Sequence, residues 1–220
     1  MKTRRNQFIW VVICILFCNF TLETKGQETD LYRSSMQKTL GELDVATEVQ
    51  QLLNYRNQFE RISLKFTEKW QPVYYMAYCD IQMVFYDTAS QQNKNHLDNA
   101  RLSLEKLGTM SGIDASEVNV LWGYYYNALL LCNPASTQQL FGEVIRYYEK
   151  ALTVNPENPR AIILRAFYNQ FLPPFVKLKI DAAQEVERAK ELFNREEKSI
   201  DAPYWGAYFI DKVKMEEVNN

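Results

Sequence analysis

The 220-residue chain holds a single histidine, four cysteines, seven glycines and seven prolines. Each shortage closes off a class of fold or chemistry. With only His96, and with cysteines set in apolar stretches, no zinc or transition-metal ligand set can be assembled. His96 itself lies in the polar run Asn93-Lys-Asn-His-Leu-Asp98, where a lone histidine at a helix start reads as solvated. No Ser–His–acid order, glycine-rich phosphate loop or Asp-x-Asp calcium loop is present, so no catalytic residue and no cofactor is expected. Carboxylates such as Glu185, Glu187 and Glu191 sit on polar helix faces and suit solubility and i,i+4 pairing better than acid–base work. The chain also lacks a basic run, with Lys+Arg at 25 against Asp+Glu at 27, which excludes nucleic acid as a partner because phosphate neutralisation needs clustered cations. No segment alternates apolar and polar residues with β-branched enrichment, which leaves strands without support.

What is present begins with a targeting segment. Lys2, Arg4 and Arg5 precede an apolar run from Phe8 to Cys18. A transmembrane helix needs about 20 apolar residues, and this run is shorter. Small residues at Thr24 and Gly26 place cleavage before Gln27, so residues 1–26 are read as a cleaved signal peptide and 27–220 as one domain. The alternative is a retained anchor. Loss of Lys2, Arg4, Arg5, Lys25 and Glu23 leaves 21 Lys+Arg against 26 Asp+Glu, a formal charge of −5. The exported chain then belongs in the periplasm or outside the cell, with no stable membrane span. Two cysteines remain, Cys79 and Cys132. They are either small buried hydrophobes or, in an oxidising compartment, a bridged pair.

Helical spacing runs throughout. Phe141, Val144, Ile145, Tyr148, Ala151 and Leu152 share one stripe, with Glu143, Arg146, Glu149 and Lys150 opposite. Helices are predicted at about 29–42, 46–67, 72–89, 94–109, 116–132, 137–154, 159–171, 180–196 and 203–216. Proline and glycine mark their limits: Trp70-Gln-Pro72, Asn133-Pro134, Asn155-Pro156, Asn158-Pro159 and Pro173-Pro174. Asp114-Ala-Ser-Glu117 has the shape of a capping box.

The even-numbered helices repeat one another. Tyr55-x3-Phe59-x2-Ile62 returns as Ala100-x3-Leu104-x2-Leu107, Val144-x3-Tyr148-x2-Ala151 and Ala182-x3-Val186-x2-Ala189, spaced 45, 44 and 38 residues. The odd-numbered helices carry a small residue at Ala77, Gly123, Ala166 and Gly206, spaced 46, 43 and 40. Two helices approach closely only where one lacks a bulky side chain, and the partner fills the space. Small facing large at a steady period is how hairpins stack.

The unit from Trp122 to Pro156 therefore resembles a tetratricopeptide repeat: Trp122-Gly123-x2-Tyr126, then Tyr148-x2-Ala151, then Pro156. Ordinary repeats of that family are about 34 residues long, and the extra length here falls in the turns from Ser90 to Asn95 and from Asn133 to Gln139. Phe59-Glu-Arg-Ile62, Trp70-x-Pro72-x-Tyr-Tyr75, Ala151-x4-Pro156-x-Asn-Pro-Arg160 and Pro203-x-Trp-Gly206 further resemble exported helical-repeat proteins of Bacteroidota-type bacteria, a group without an assigned function. Asp87-Thr88-Ala89 resembles an O-glycosylation acceptor of the same bacteria.

That resemblance implies an all-α, TPR-like helical-hairpin solenoid of about four helix pairs plus a C-terminal capping helix. It also implies a concave groove lined by the first helix of each pair. Counted from the small residues, that face would show Tyr74, Tyr78, Tyr124, Asn127, Phe167 and Gln170, a set of aromatics and amides without the cations that clamp a peptide carboxylate. The expected function is a non-enzymatic exported scaffold whose groove binds a protein or peptide partner. The alternative is a small-molecule or glycan-binding module of the cell envelope.

Overall fold

Neighbouring apolar stripes bury one another pairwise, and the result is all helix. The computed structural model describes residues 26–43, 46–133 and 137–214, with only the backbone for 137–139. The expected signal peptide up to residue 25, and the turn centred on Pro134, lie outside the described residues. Helices occupy 26–43 (α1), Val49–Lys65 (α2), Trp70–Tyr86 (α3), Asn93–Leu107 (α4), Ala115–Cys132 (α5), Thr137–Val154 (α6), Pro159–Asn169 (α7) and Ala182–Arg195 (α8), followed by a 3-10 helix at Ala207–Lys212. No strand occurs among the described residues, and no helix there is long and apolar enough to cross a membrane.

Caps set the starts. Asp114 accepts from the amides of Ser116 and Glu117 at α5, Asn158 from Ala161 at α7 with Pro159 in the first turn, and Asp181 from Gln184 at α8. The predicted reciprocal partner at α5, Glu117, does not return to the cap. Its carboxylate turns inward, as described below. The predicted α3 overran by three residues: the helix ends at Tyr86, and Thr88 lies exposed in the following turn.

The packing follows chain order. α3 packs on α2 and α4, α5 on α6, and α7 on α8, while α3 touches α5 and α5 touches α7. α3 is buried along nearly its whole length, from Trp70 to Val84, because neighbours cover it on both sides. The small-against-large expectation is met most sharply at Gly123. A Cβ built there would lie 2.5 Å from Cε1 of Tyr148, whose ring is fully buried. Ala77, Ala151 and Ala166 are buried too, and the Ala151 carbonyl accepts from Ser116 Oγ at 2.9 Å.

Three expectations need correction. Gly206 is not a helix-contact glycine: it precedes the 3-10 helix with φ +98, a left-handed conformation that side chains disfavour. The closing segment predicted as a helix from 203 is accordingly irregular up to Gly206 and a 3-10 helix only over Ala207–Lys212. His96 is not solvated: half-buried, its Nδ1 sits 3.3 Å from Oδ1 of the buried Asp80, which also accepts from Arg56. Glu185 is no bystander, because Arg165 bridges it to Glu149 and so ties α7 to both α8 and α6. Of the two readings of the cysteines, the unbridged one holds: Cys79 is buried, Cys132 is half-buried, and both are free.

Burial pushes the Cys79 thiol well above its ordinary range, so thiolate is scarce there. In the chain lacking residues 1–26, an aromatic disulfide reagent should titrate Cys132 alone before denaturation and two thiols after it. A bridged pair would give none.

Candidate functional site

Tyr74, Glu117 and Arg160 are the fifth, third and second residues of α3, α5 and α7, 43 residues apart in each step, and their side chains meet. The three form a buried ladder. Tyr74 OH donates to Glu117 Oε2 at 2.9 Å, and Arg160 Nε donates to both Glu117 oxygens at 2.9 and 3.0 Å. Asn158 Nδ2 adds a bond to Glu117 Oε1 at 2.7 Å. Burial raises the Glu117 carboxyl, and Arg160 opposes that shift. Burial also works against the Arg160 charge, but Glu117 and Glu196 outweigh it and hold the guanidinium protonated.

The ladder has a further rung. Arg160 Nη1 donates to the Trp205 carbonyl at 3.1 Å and to Glu196 at 2.9 Å, and Trp205 Nε1 donates to Tyr74 OH at 2.8 Å. The segment after α8 is thereby drawn back across α3, α5 and α7. Gly206 permits the approach, since a Cβ there would lie 3.1 Å from Arg160 Cγ.

This return segment roofs a cleft of about 880 Å³. One wall comes from Leu40 and Leu43 of α1 with Leu52 of α2. The floor comes from Tyr75, Tyr78, Gln82 and Phe85 of α3, Tyr124 and Asn127 of α5, and Phe167 of α7. The roof is Tyr204, Trp205, Tyr208 and Phe209, with Lys198 and Lys212 exposed at its ends. The rings lie against one another: Trp205 is 4.6 Å from Tyr78 and 5.4 Å from Tyr124, Phe85 stacks on Tyr124 at 4.6 Å, and Phe209 meets Phe167 at 5.2 Å (centroid distances).

One polar node interrupts the aromatic lining. Gln82 Nε2 donates to Tyr78 OH at 2.7 Å and to Tyr208 OH at 3.0 Å, while Tyr124 OH donates to Gln82 Oε1 at 3.3 Å. Burial pushes the Tyr78 and Tyr124 phenols well above their ordinary range, so both stay protonated. Among the described residues no cluster of three or more His, Cys, Asp or Glu could hold a metal ion.

Of the six residues picked from sequence, Tyr78, Tyr124, Asn127 and Phe167 line the cleft and Tyr74 and Gln170 do not. Tyr74 has no exposed surface, because Trp205 covers it and Glu117 takes its hydroxyl. Gln170 stands at the end of α7, where its Nε2 donates to the Phe167 carbonyl at 3.2 Å and its Oε1 accepts from the Lys214 amide at 2.7 Å. Both act as supports for the return segment. Sequence reasoning missed the roof altogether, together with Gln82 and Phe85. Pro203-Tyr-Trp-Gly206 carries a signal for it, although helical spacing places the start of a helix at the same residues.

No protein-family model and no curated protein matches the chain. Among solved structures it is similar to the HusA haemophore from Porphyromonas gingivalis, at 27% identity and a TM-score of 0.73, over 83% of this chain and 90% of that one.

Proposed function

We infer that this chain is an exported, non-enzymatic binding protein for a flat, largely apolar small molecule with an anionic edge, of which a tetrapyrrole such as haem is the best-fitting class. The observation that carries this is the aromatic cleft closed by Trp205 in a chain similar to a haemophore. Its volume, about 880 Å³, falls within the range of roughly 300–1,000 Å³ typical of small-ligand pockets. Ring faces on floor and roof suit a planar π-system. Lys198 and Lys212 at the ends of the roof suit ligand carboxylates. Among the described residues the cleft lining contains no His, Cys or Met, and Tyr78 and Tyr124 are neutral phenols, so they offer ring faces rather than phenolate ligands. Recognition then rests on the macrocycle more than on its metal.

The frame for this site is a TPR-like solenoid of helix pairs. Support comes from the Tyr74–Glu117–Arg160 ladder, which needs α3, α5 and α7 side by side, and from Gly123 seated on Tyr148. The polypeptide-scaffold reading is less favoured, because residues 205–209 of this same chain lie on the odd-helix face where a bound peptide would lie.

Titration with metal-free protoporphyrin, its iron complex and its dimethyl ester, followed by absorbance and tryptophan quenching, tests the assignment. Both free acids should bind, and Trp205→Ala should weaken both on the order of tenfold by removing stacked area. The ester should bind less well, and Lys212→Gln should weaken the free acids while leaving the ester unchanged. A hundredfold excess over Kd should also stabilise the fold by about 2.7 kcal/mol. Flat titrations with all three compounds would sink the reading, and stabilisation by sugars instead would move it to glycans.

A further inference from the structure

The connection between α7 and α8 exposes two phenylalanines and a valine. Phe175 is 87% exposed and Phe171 66%, and Val176 lies exposed beside them. Soluble chains seldom present two neighbouring phenylalanines in this way. The loop is also built to hold its shape. Asn169, itself 6% exposed, donates through Nδ2 to the Leu178 carbonyl at 3.1 Å and accepts the Leu178 amide at 2.7 Å. Leu172 is buried beneath, and the Val176 amide closes a turn onto Pro173 at 3.0 Å. Rigid Pro173-Pro174 therefore pushes Phe175 outward from a pinned base.

Two lysines follow the tip in the chain. Lys177 and Lys179 are exposed on the returning limb, and the Lys214 amide bonds Gln170, next to Phe171. The nearest acids in sequence are Asp181, whose carboxylate caps α8, and Glu185, which pairs with Arg165.

We propose that this loop is a lipid-contacting tip, with Phe171 and Phe175 entering the headgroup boundary of a bilayer and Lys177 and Lys179 meeting its phosphates. Phenylalanines flanked by lysines are the composition that suits that boundary. Size argues against a protein partner. A stable protein interface buries about 1,200–2,000 Å² in total, and this patch is a projecting turn of two phenylalanines and one valine. A bilayer needs no matching surface. The tip also adjoins the cleft, since Phe171 packs edge-on against Phe167, a cleft residue, at 5.2 Å. Docking here would bring the opening of an apolar-ligand site to the membrane.

The test uses the chain lacking residues 1–26, with vesicles of phosphatidylcholine alone and with added phosphatidylglycerol. Sedimentation should carry the protein with vesicles, more strongly with the anionic ones. Phe175→Ser should reduce binding roughly tenfold or more, the effect of exposing one buried phenylalanine to water. That variant should keep its porphyrin affinity and melting temperature, which separates failure of the tip from failure of the cleft. Phe175→Trp should show blue-shifted emission on vesicles and quenching by brominated lipid. An unshifted Phe175→Trp emission, or vesicle binding that Phe175→Ser leaves intact, overturns the proposal. Dimerisation lost in Phe175→Ser, with no vesicle binding, overturns it in favour of a second copy of the chain.

Discussion

Arg160→Met is expected to destabilise the protein by about 3–5 kcal/mol, the range for removing one partner of a buried ion pair. Arg160 is 3% exposed and touches four other parts of the chain: Glu117 on α5, Glu196 after α8, the Trp205 carbonyl and, by stacking, Phe193. Without it, Glu117 remains 3% exposed with only neutral partners, Asn158 and Tyr74. Arg160→Lys should not rescue much, since a single ammonium cannot serve both oxygens of Glu117, Glu196 and the carbonyl together. Removing the stranded charge as well should recover part of the loss. The double variant Arg160→Met with Glu117→Leu is therefore expected to be more stable than Arg160→Met alone, a coupling that a double-mutant cycle in urea measures directly. Ligand binding should suffer separately. The Arg160 side chain holds the backbone of Trp205, so porphyrin affinity should fall even under conditions where the variant is fully folded. A denaturation midpoint equal to that of the parent would show that the ladder carries no stability.

Gly123→Leu is the second large effect, at or above the roughly 1–3 kcal/mol usual for overpacking. Glycine inside a helix is ordinarily a weakness, costing about 0.5–1 kcal/mol relative to alanine. Here that gain is outweighed. The first added carbon would lie 2.5 Å and 2.7 Å from Cε1 and Cδ1 of Tyr148, and that ring has no exposed surface into which to swing. Even Gly123→Ala should destabilise. Trimming the opposing ring should reverse the sign, so Gly123→Ala should cost less in a Tyr148→Leu background than in the parent. Thermal melts of the four proteins decide the point, and additive losses would mean that the two residues do not press on each other.

These two sites mark how far the sequence could be read. Gly123 facing Tyr148 was visible because bulk and its absence are local properties that repeat at a period, and the period is countable. Arg160 was not visible, although Tyr74, Glu117 and Arg160 are spaced just as evenly. A tyrosine, a glutamate and an arginine share no side-chain type, so no pattern search groups them. They become one device only when α3, α5 and α7 lie side by side and the ends of their side chains meet away from water. Glu117 looks like a capping residue for the same reason: its local position, three after Asp114, suits a bond back to the Asp114 amide, but the charged guanidinium of the buried Arg160 is the stronger partner.

Four of the six sequence-derived site residues line the cleft because α3, α5 and α7 turn one face to the same side, which follows from helical periodicity alone. Tyr74 shares that face yet lies covered, and nothing near it in the chain says so. The difference lies in the C-terminal segment. Periodicity, Asn-Pro stops and the small-to-large pattern were sufficient to specify helices and their pairing, since these are interactions between residues close in sequence or one repeat apart. Where residues 198–212 come to rest was settled by contacts reaching far back along the chain: Trp205 to Tyr74, Trp205 to Arg160, Tyr208 to Gln82. Such contacts form only after the helices have stacked. They convert an open helical face into a roofed aromatic cleft, and with it the kind of ligand the protein can hold.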